Sequence, residues 1–479
     1  MSKLIEKIKS MPVTVKASVA YTICSVLQKG LVIITMPLFT RLLSQEQYGQ
    51  YTVYSSWSSL LMIFLTLNLA FGSFSTAMVR FEKERDEYIA SLQGIACTLV
   101  AAFMALYLPL QSFWNELLGL PTPFVILMVL EILANFAISC WMGKNRFEFK
   151  YVSVVLLTMV NSLVAPLVAA LLVVVSEDKG YARIAGYAGV AIALGSVLFA
   201  INLSKGKRLY NKKYWRYALA FNIPLIPYYL SQVIFNMSDR IMIDHFCGTA
   251  DAGIYNVGYQ LAVVLTFVLN SINDAYVPWM YGKMRTGDQK ENQSVANGIA
   301  FLMGTLLLGV TAMAPEIIRV MAGWEYYPAM HVVPPVAMSI LLLFYSQLFI
   351  NVQFYYEEKM LLVYASVGSA VINLILNAIF IPKFGFVAAA YTTLASYVVF
   401  ALANYITMRY SLYIHGVPND CFDMRGLMAI LGVYTALAIL ALVLYPYRLV
   451  RCILTAVALL AIIIKSKSII NFLKVFKNR

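Results

Sequence analysis

Runs of about 20 apolar residues recur along the chain some fourteen times, and this repetition limits the possible folds more than any other feature. A hydrocarbon layer about 30 Å thick takes about 20 helical residues to cross. No water is present inside it, so each backbone N–H and C=O must be satisfied within its own segment. An apolar run of this length is therefore a helix. The runs fall near 15–40, 52–72, 88–111, 120–142, 151–175 and 181–203. Others fall near 217–246, 252–277, 294–319, 330–356, 360–381, 385–410, 427–446 and 449–465. The expected fold is an all-α polytopic membrane protein with about 14 transmembrane helices. Of 479 residues 61% are hydrophobic and 12% charged, which leaves no stretch for a large aqueous catalytic domain.

A net charge of +13 would suggest a nucleic-acid partner in a soluble chain. Here it reads first as topology, because cytoplasmic segments collect Lys and Arg. Of the 36 basic residues, 27 fall in alternate segments that include both ends and 8 in the others. Both termini are therefore expected in the cytoplasm, and no nucleic-acid partner is expected. The first run follows Lys3, Lys7, Lys9 and Lys16, and no small-residue cleavage site comes after it. It reads as an uncleaved helix rather than a signal peptide.

At an offset of 204 residues the halves match: Gln28 with Gln232, Gly49 and Tyr51 with Gly253 and Tyr255, Tyr187 with Tyr391. This predicts two six-helix lobes as parallel repeats, 1–203 and 217–411. A basic linker, 204–216, would join them, with two extra C-terminal spans in 412–479.

Polar residues in hydrocarbon are costly and turn toward the bundle interior or a wet cavity. On the seventh span Asn222, Tyr228, Tyr229, Gln232, Asn236, Asp239 and Arg240 share an arc. On the first, Ser18, Tyr21, Ser25, Gln28, Lys29 and Thr35 do the same, and on the eighth Asn256, Tyr259, Gln260, Asn270 and Asp274. The second carries a weaker set, Ser55, Ser58, Ser59, Thr66 and Ser73. Spans 1, 2, 7 and 8 would thus wall a polar cavity between the lobes. The plainer alternative is interhelical hydrogen bonding, worth about 0.6 kcal/mol per bond.

Two charges, Lys29 and Glu131, fall near the middle of spans. Each would cost about 2.5–3.5 kcal/mol to insert and needs a partner or water. Asp239 and Arg240 come about 35 Å into the seventh span, near the outer face, where snorkelling is easy. As sequence neighbours they should not form a simple ion pair. The six cysteines and three histidines are scattered, which predicts no metal site and no disulfide. The chain has no GxxxxGK[ST], HExxH or GxSxG motif, so it is expected to be no enzyme and no ATPase, and to need no cofactor.

One segment reads Pro37-Leu38-Phe39-Thr40-Arg41-Leu42-Leu43-Ser44, then Glu46 and Tyr48-Gly49-Gln50-Tyr51. Others are Asn68-Leu69-Ala70-Phe71-Gly72 with Val79-Arg80-Phe81, and Ser238-Asp239-Arg240 with Gly253-Ile254-Tyr255. A fourth is Ile381-Pro382-Lys383-Phe384-Gly385 with Ala388-Ala389-Ala390. In order and spacing these resemble the polysaccharide-transport flippases, the Wzx-like branch of the multidrug/oligosaccharidyl-lipid/polysaccharide exporter superfamily. The resemblance runs over nearly the whole length. It implies two six-helix lobes around a central cavity in a bacterial cytoplasmic membrane. It implies a lipid-linked oligosaccharide on undecaprenyl diphosphate as substrate, moved to the outer leaflet for capsule, exopolysaccharide or O-antigen assembly. Membrane lipids, a polysaccharide polymerase and glycosyltransferases are the partners it suggests. Arg41 and Arg80 lie in the matching motifs and are candidates for the diphosphate; Lys29 joins them on its mid-membrane position alone. Gln28, Gln232, Asn236, Asn256 and Asp274 are candidates for the sugars. Coupling to a proton or sodium gradient would fall to Asp239, Arg240 or Glu131. The rivals are a cation-coupled multidrug antiporter and a membrane polymerase or ligase. Short loops count against the latter.

Overall fold

The computed structural model describes residues 13–286, 289–418, 420–453 and 455–457. Among them every regular element is helical. The N-terminal elements are α1 Val13–Leu42, α2 Gln45–Thr66, α3 Phe74–Arg80, α4 Arg85–Tyr107, α5 Gln111–Leu118, α6 Thr122–Phe147, α7 Tyr151–Val175, α8 Lys179–Gly206 and α9 Lys212–Asn222. Then follow α10 Ile226–Cys247, α11 Thr249–Val263, α12 Thr266–Thr286, α13 Gln289–Met321, α14 Val333–Tyr355, α15 Lys359–Phe384, α16 Phe386–Ile414 and α17 Met424–Val443. Eleven helical segments among the described residues are long and apolar enough to cross a membrane. Helices stand at α1 and α2 as well, where the first two spans are expected. Residues 448–453 and 455–457 are helical at the start of the fourteenth, and the rest of that span lies outside the described residues.

Two expected spans are each broken in two. The seventh is α9 and α10 with a 3-10 turn, Ile223–Leu225, between them. Pro224 lacks the N–H that a continuous helix needs there. The eighth is α11 and α12, parted at Val264–Leu265. The second is shorter than expected: α2 ends at Thr66, Leu67 and Asn68 take left-handed conformations, and Ser73 precedes the separate α3.

The chain divides into two compact units, one up to Val233 and one from Ile234. In the first, α8 packs against α6, α7, α4 and α2. Small residues allow it: a Cβ on Gly195 would stand 2.5 Å from the Cα of Ala134 in α6. One on Gly186 would stand 2.3 Å from the Cα of Ala169 in α7. Without a hydrophobic drive between helices in lipid, such backbone approach supplies the packing energy. The start of α2 is fixed by a reciprocal cap, with Gln47 N–H donating to Ser44 Oγ (3.2 Å) and Ser44 N–H to Gln47 Oε1 (3.1 Å).

In the second unit, α14 packs on α16, and α15 on α16. Gly385, at φ +75°, makes the α15–α16 turn, a conformation that favours glycine. The starts of α2 and α11 stand 204 residues apart, the offset at which the two halves of the sequence match.

Helix α17 and the segment that follows it are pinned to α13 by polar contacts. Tyr434 Oη bonds Phe301 O (3.1 Å), and Tyr445 Oη bonds Thr311 O (3.1 Å). Asp423 accepts from Gly426 N–H (3.0 Å) and Asn297 Nδ2 (2.9 Å), and these bonds hold its carboxyl below the usual range. Arg451, only 2% exposed, donates to Glu316 through Nη1 (2.6 Å) and Nη2 (2.7 Å). Sequence counting places Arg451 as an outer-end charge; the fold buries it in a bidentate pair. Glu316→Ala would strand that guanidinium, at an expected cost of about 3–5 kcal/mol. A thermal-unfolding series on purified protein would show it as a lowered Tm, and an unchanged Tm would mean that Arg451 finds other acceptors.

Candidate functional site

In the second unit a buried polar cluster forms where α10 meets α11. Asp239 is 0% exposed and Arg240 3%. Arg240 Nη1 stands 3.4 Å from Asp239 Oδ1 and donates to the carbonyl of Asn236, one turn back. Its Nε donates to Asn256 Oδ1 (3.1 Å), and its guanidinium lies 4.0 Å from the Tyr259 ring centre. Tyr255 Oη donates to the other oxygen of Asp239. This corrects the expectation that Asp239 and Arg240 snorkel and stay unpaired. Both are buried, and they are paired because the long arginine stem folds back along its own helix.

The first unit holds a second buried arginine, at the repeat-equivalent tyrosine. Arg183 of α8 is 6% exposed, with its guanidinium 4.3, 4.5 and 4.1 Å from the ring centres of Phe39, Tyr48 and Tyr51. Its Nε and Nη1 meet no acceptor among the described residues. Three ring faces attract the cation in place of a carboxylate, without accepting from its N–H groups. Tyr51 and Tyr255 thus each hold an arginine, but from different helices. Counting charges at helix ends overlooks Arg183; three aromatics within Phe39–Tyr51 are the only sign of it in the sequence.

Glu131 of α6 is half-buried, accepting from Tyr54 Oη (2.7 Å) and, at 3.5 Å, from Asn135 Nδ2. Arg80, at the end of α3, is exposed. It lies 5.2 Å from the Tyr217 ring centre and 5.8 Å from that of Phe81. It opens on a cavity of about 600 Å³ built from residues 79–84 with Lys213 and Tyr217.

Gln28 and Arg41 are exposed on α1, Asn236 is exposed on α10 and Gln232 is half-buried there. Lys29 stands in α1, but its side chain, like that of Ser18, lies outside the described residues. The eighth-span stripe is split by the break at 264–265: Asn256 and Tyr259 are buried on α11, while Asn270 and Asp274 are exposed on α12. The seventh-span stripe also loses a member. Asn222 is fully buried and donates to Ser73 Oγ (2.7 Å) and Ala218 O (2.8 Å). On α2 the polar groups bond their own helix, Ser59 Oγ to Ser55 O (2.8 Å) and Thr66 Oγ1 to Met62 O (2.7 Å). These bonds lie within the helix itself and are not the interhelical bonds of the plainer alternative.

Residues 14–284 match the model of a family described as polysaccharide biosynthesis protein. The Lsg locus putative protein 1 of Haemophilus influenzae is 24% identical over 390 residues, covering 74% of this chain and 88% of that protein. An uncharacterized membrane protein of the same organism is 24% identical over 301 residues, covering 58% and 67%. Among solved structures, the lipid II flippase MurJ in an inward closed conformation superposes with a TM-score of 0.65 at 15% identity. The match covers 94% of this chain and all of that one. An inward-facing multidrug resistance MATE family transporter of the MOP superfamily gives 0.60 at 11% identity, covering 83% and 98%. At these identities the structural likeness speaks for the fold.

Proposed function

Because this chain belongs to the polysaccharide biosynthesis protein family, we propose that it is a flippase for undecaprenyl-diphosphate-linked oligosaccharide. It would carry repeat units from the cytoplasmic to the outer leaflet for capsule, exopolysaccharide or O-antigen assembly. One observation carries the reading. A polysaccharide-biosynthesis chain made almost wholly of membrane-crossing helices has its substrate in or across the bilayer. The likeness to MurJ supports it at the level of fold.

Transport would proceed by alternating access. Lys29, Arg41 and Arg80 would meet the diphosphate, and Gln28, Gln232, Asn236, Asn256 and Asp274 the sugars. The lipid tail would stay in the bilayer. Glu131 and the Asp239–Arg240 pair are the positions for coupling to a proton or sodium gradient. The protein would sit in the bacterial cytoplasmic membrane with both termini inside, as the Lys and Arg distribution supports. A polymerase and glycosyltransferases would work beside it.

Deletion followed by lipid extraction tests this. Undecaprenyl-linked repeat units should accumulate on the cytoplasmic side and surface glycan should fall. Unchanged lipid intermediates with unchanged surface glycan would sink the proposal. The fold shared with the MATE transporter favours a second reading, a cation-coupled multidrug antiporter. Raised drug resistance in an overexpressing strain with normal surface glycan would select it.

A further inference from the structure

The cavity beside Arg80 is built within the first unit, by the α3–α4 turn and by α9. Its charges sort unequally. Lys213 Nζ bonds Glu84 Oε2 (2.8 Å), and Tyr214 Oη bonds the same oxygen (2.6 Å), so Glu84 and Lys213 offset each other. Glu82 leans out to Arg85 at 3.9 Å. Arg80 and Lys83 have no ion pair among the described residues, and both are exposed. The rings of Tyr217 and Phe81 flank the Arg80 guanidinium without using its N–H donors. Beside this polar pocket the surface turns apolar: Val79, in its wall, is 67% exposed, and Phe221, whose ring stands 6.5 Å from that of Tyr217, is 42% exposed. A space of about 600 Å³ is of ordinary ligand-pocket size.

An unpaired Arg80 between aromatic rings, with the exposed Lys83 beside it and exposed hydrocarbon at the border, suits an amphiphile with an anionic head. We propose that this cavity binds the phosphate head of a lipid. Arg80 would take phosphate oxygens through its planar fork, Lys83 would add a point charge, and Val79 and Phe221 would lie along the chain. The inference rests on the flippase reading for its meaning, as a site where a diphosphate-linked lipid is first held. The binding itself can be tested apart from that reading.

Full-length protein in phosphatidylcholine nanodiscs would be titrated with undecaprenyl diphosphate, with pyrophosphate and phosphatidylglycerol as competitors. Arg80→Ala/Lys83→Ala is expected to lose at least ten-fold in affinity at an unchanged Tm, since both side chains are exposed. Lys205→Ala/Lys207→Ala, from the basic segment outside the cavity lining, should bind as the unaltered protein does. Competition by pyrophosphate would show that the head suffices. Competition by phosphatidylglycerol alone would show that any phosphate-headed lipid enters. Undiminished affinity in the Arg80/Lys83 variant, or no binding by the unaltered protein, would overturn the proposal. Normal surface glycan in a deletion strain would sink the flippase reading and leave the binding result standing.

Discussion

Lys29→Ala should abolish surface polysaccharide while the protein stays in the membrane at its normal level. Lys29 lies near the middle of the first apolar run, 15–40, within helix α1. An ammonium at such a depth costs about 2.5–3.5 kcal/mol to insert. Alanine removes that cost and is the better helix former, so the variant should insert at least as well as the original. A loss of glycan would then report a lost contact in transport rather than a lost fold. Lys29→Arg keeps the charge and should retain part of the activity. Immunoblotting of membranes beside quantitation of surface glycan gives the answer. Full glycan in Lys29→Ala would remove this residue from the mechanism. A collapse in protein level would mean instead that Lys29 neutralises a carboxylate within the bundle.

The helices were largely legible in the sequence because hydropathy over 20 residues reports a property of whole segments. The local breaks were less so. Pro224 marks the one at 223–225, but Val264–Leu265 contains neither Pro nor Gly; there Thr266 Oγ1 donates to Val263 O (2.6 Å), a local bond that hydropathy does not report. Splitting that span moved Asp274 to an exposed face and left Asn256 buried, so a single arc drawn through both could not hold.

The charges are hidden from the sequence for a different reason. A count of Lys and Arg by segment treats each as a point at a helix end. Arg183 and Arg451 do sit near helix ends, yet the first is enclosed by three rings and the second by Glu316. Side-chain burial depends on which helices pack together, and no local pattern encodes that. The match of Tyr51 with Tyr255 at the 204-residue offset does mark residues that meet buried arginines. Two tyrosines of Phe39–Tyr51 form the box around Arg183, and the repeat partner of Tyr51, Tyr255, meets Arg240.

Asp239→Asn is expected to lower stability by about 3–5 kcal/mol, because it leaves the Arg240 guanidinium buried without its anion. Tyr255 Oη would lose a charged acceptor in the same step. The surviving partners, the Asn236 carbonyl, Asn256 Oδ1 and the Tyr259 ring, are neutral and do not offset a full charge. Thermal unfolding of purified protein and the yield of folded protein from membranes would both fall. Asp239→Leu/Arg240→Met separates structure from transport. Replacing a buried pair by apolar groups of similar size is often neutral for stability, so the double variant should recover most of the lost Tm. If the pair serves only to join α10 and α11, the double variant should also export glycan. If Asp239 carries the coupling ion, the fold returns and export does not. A single Asp239→Asn variant with an unchanged Tm would contradict the whole argument, since Arg240 would then need another anion within reach.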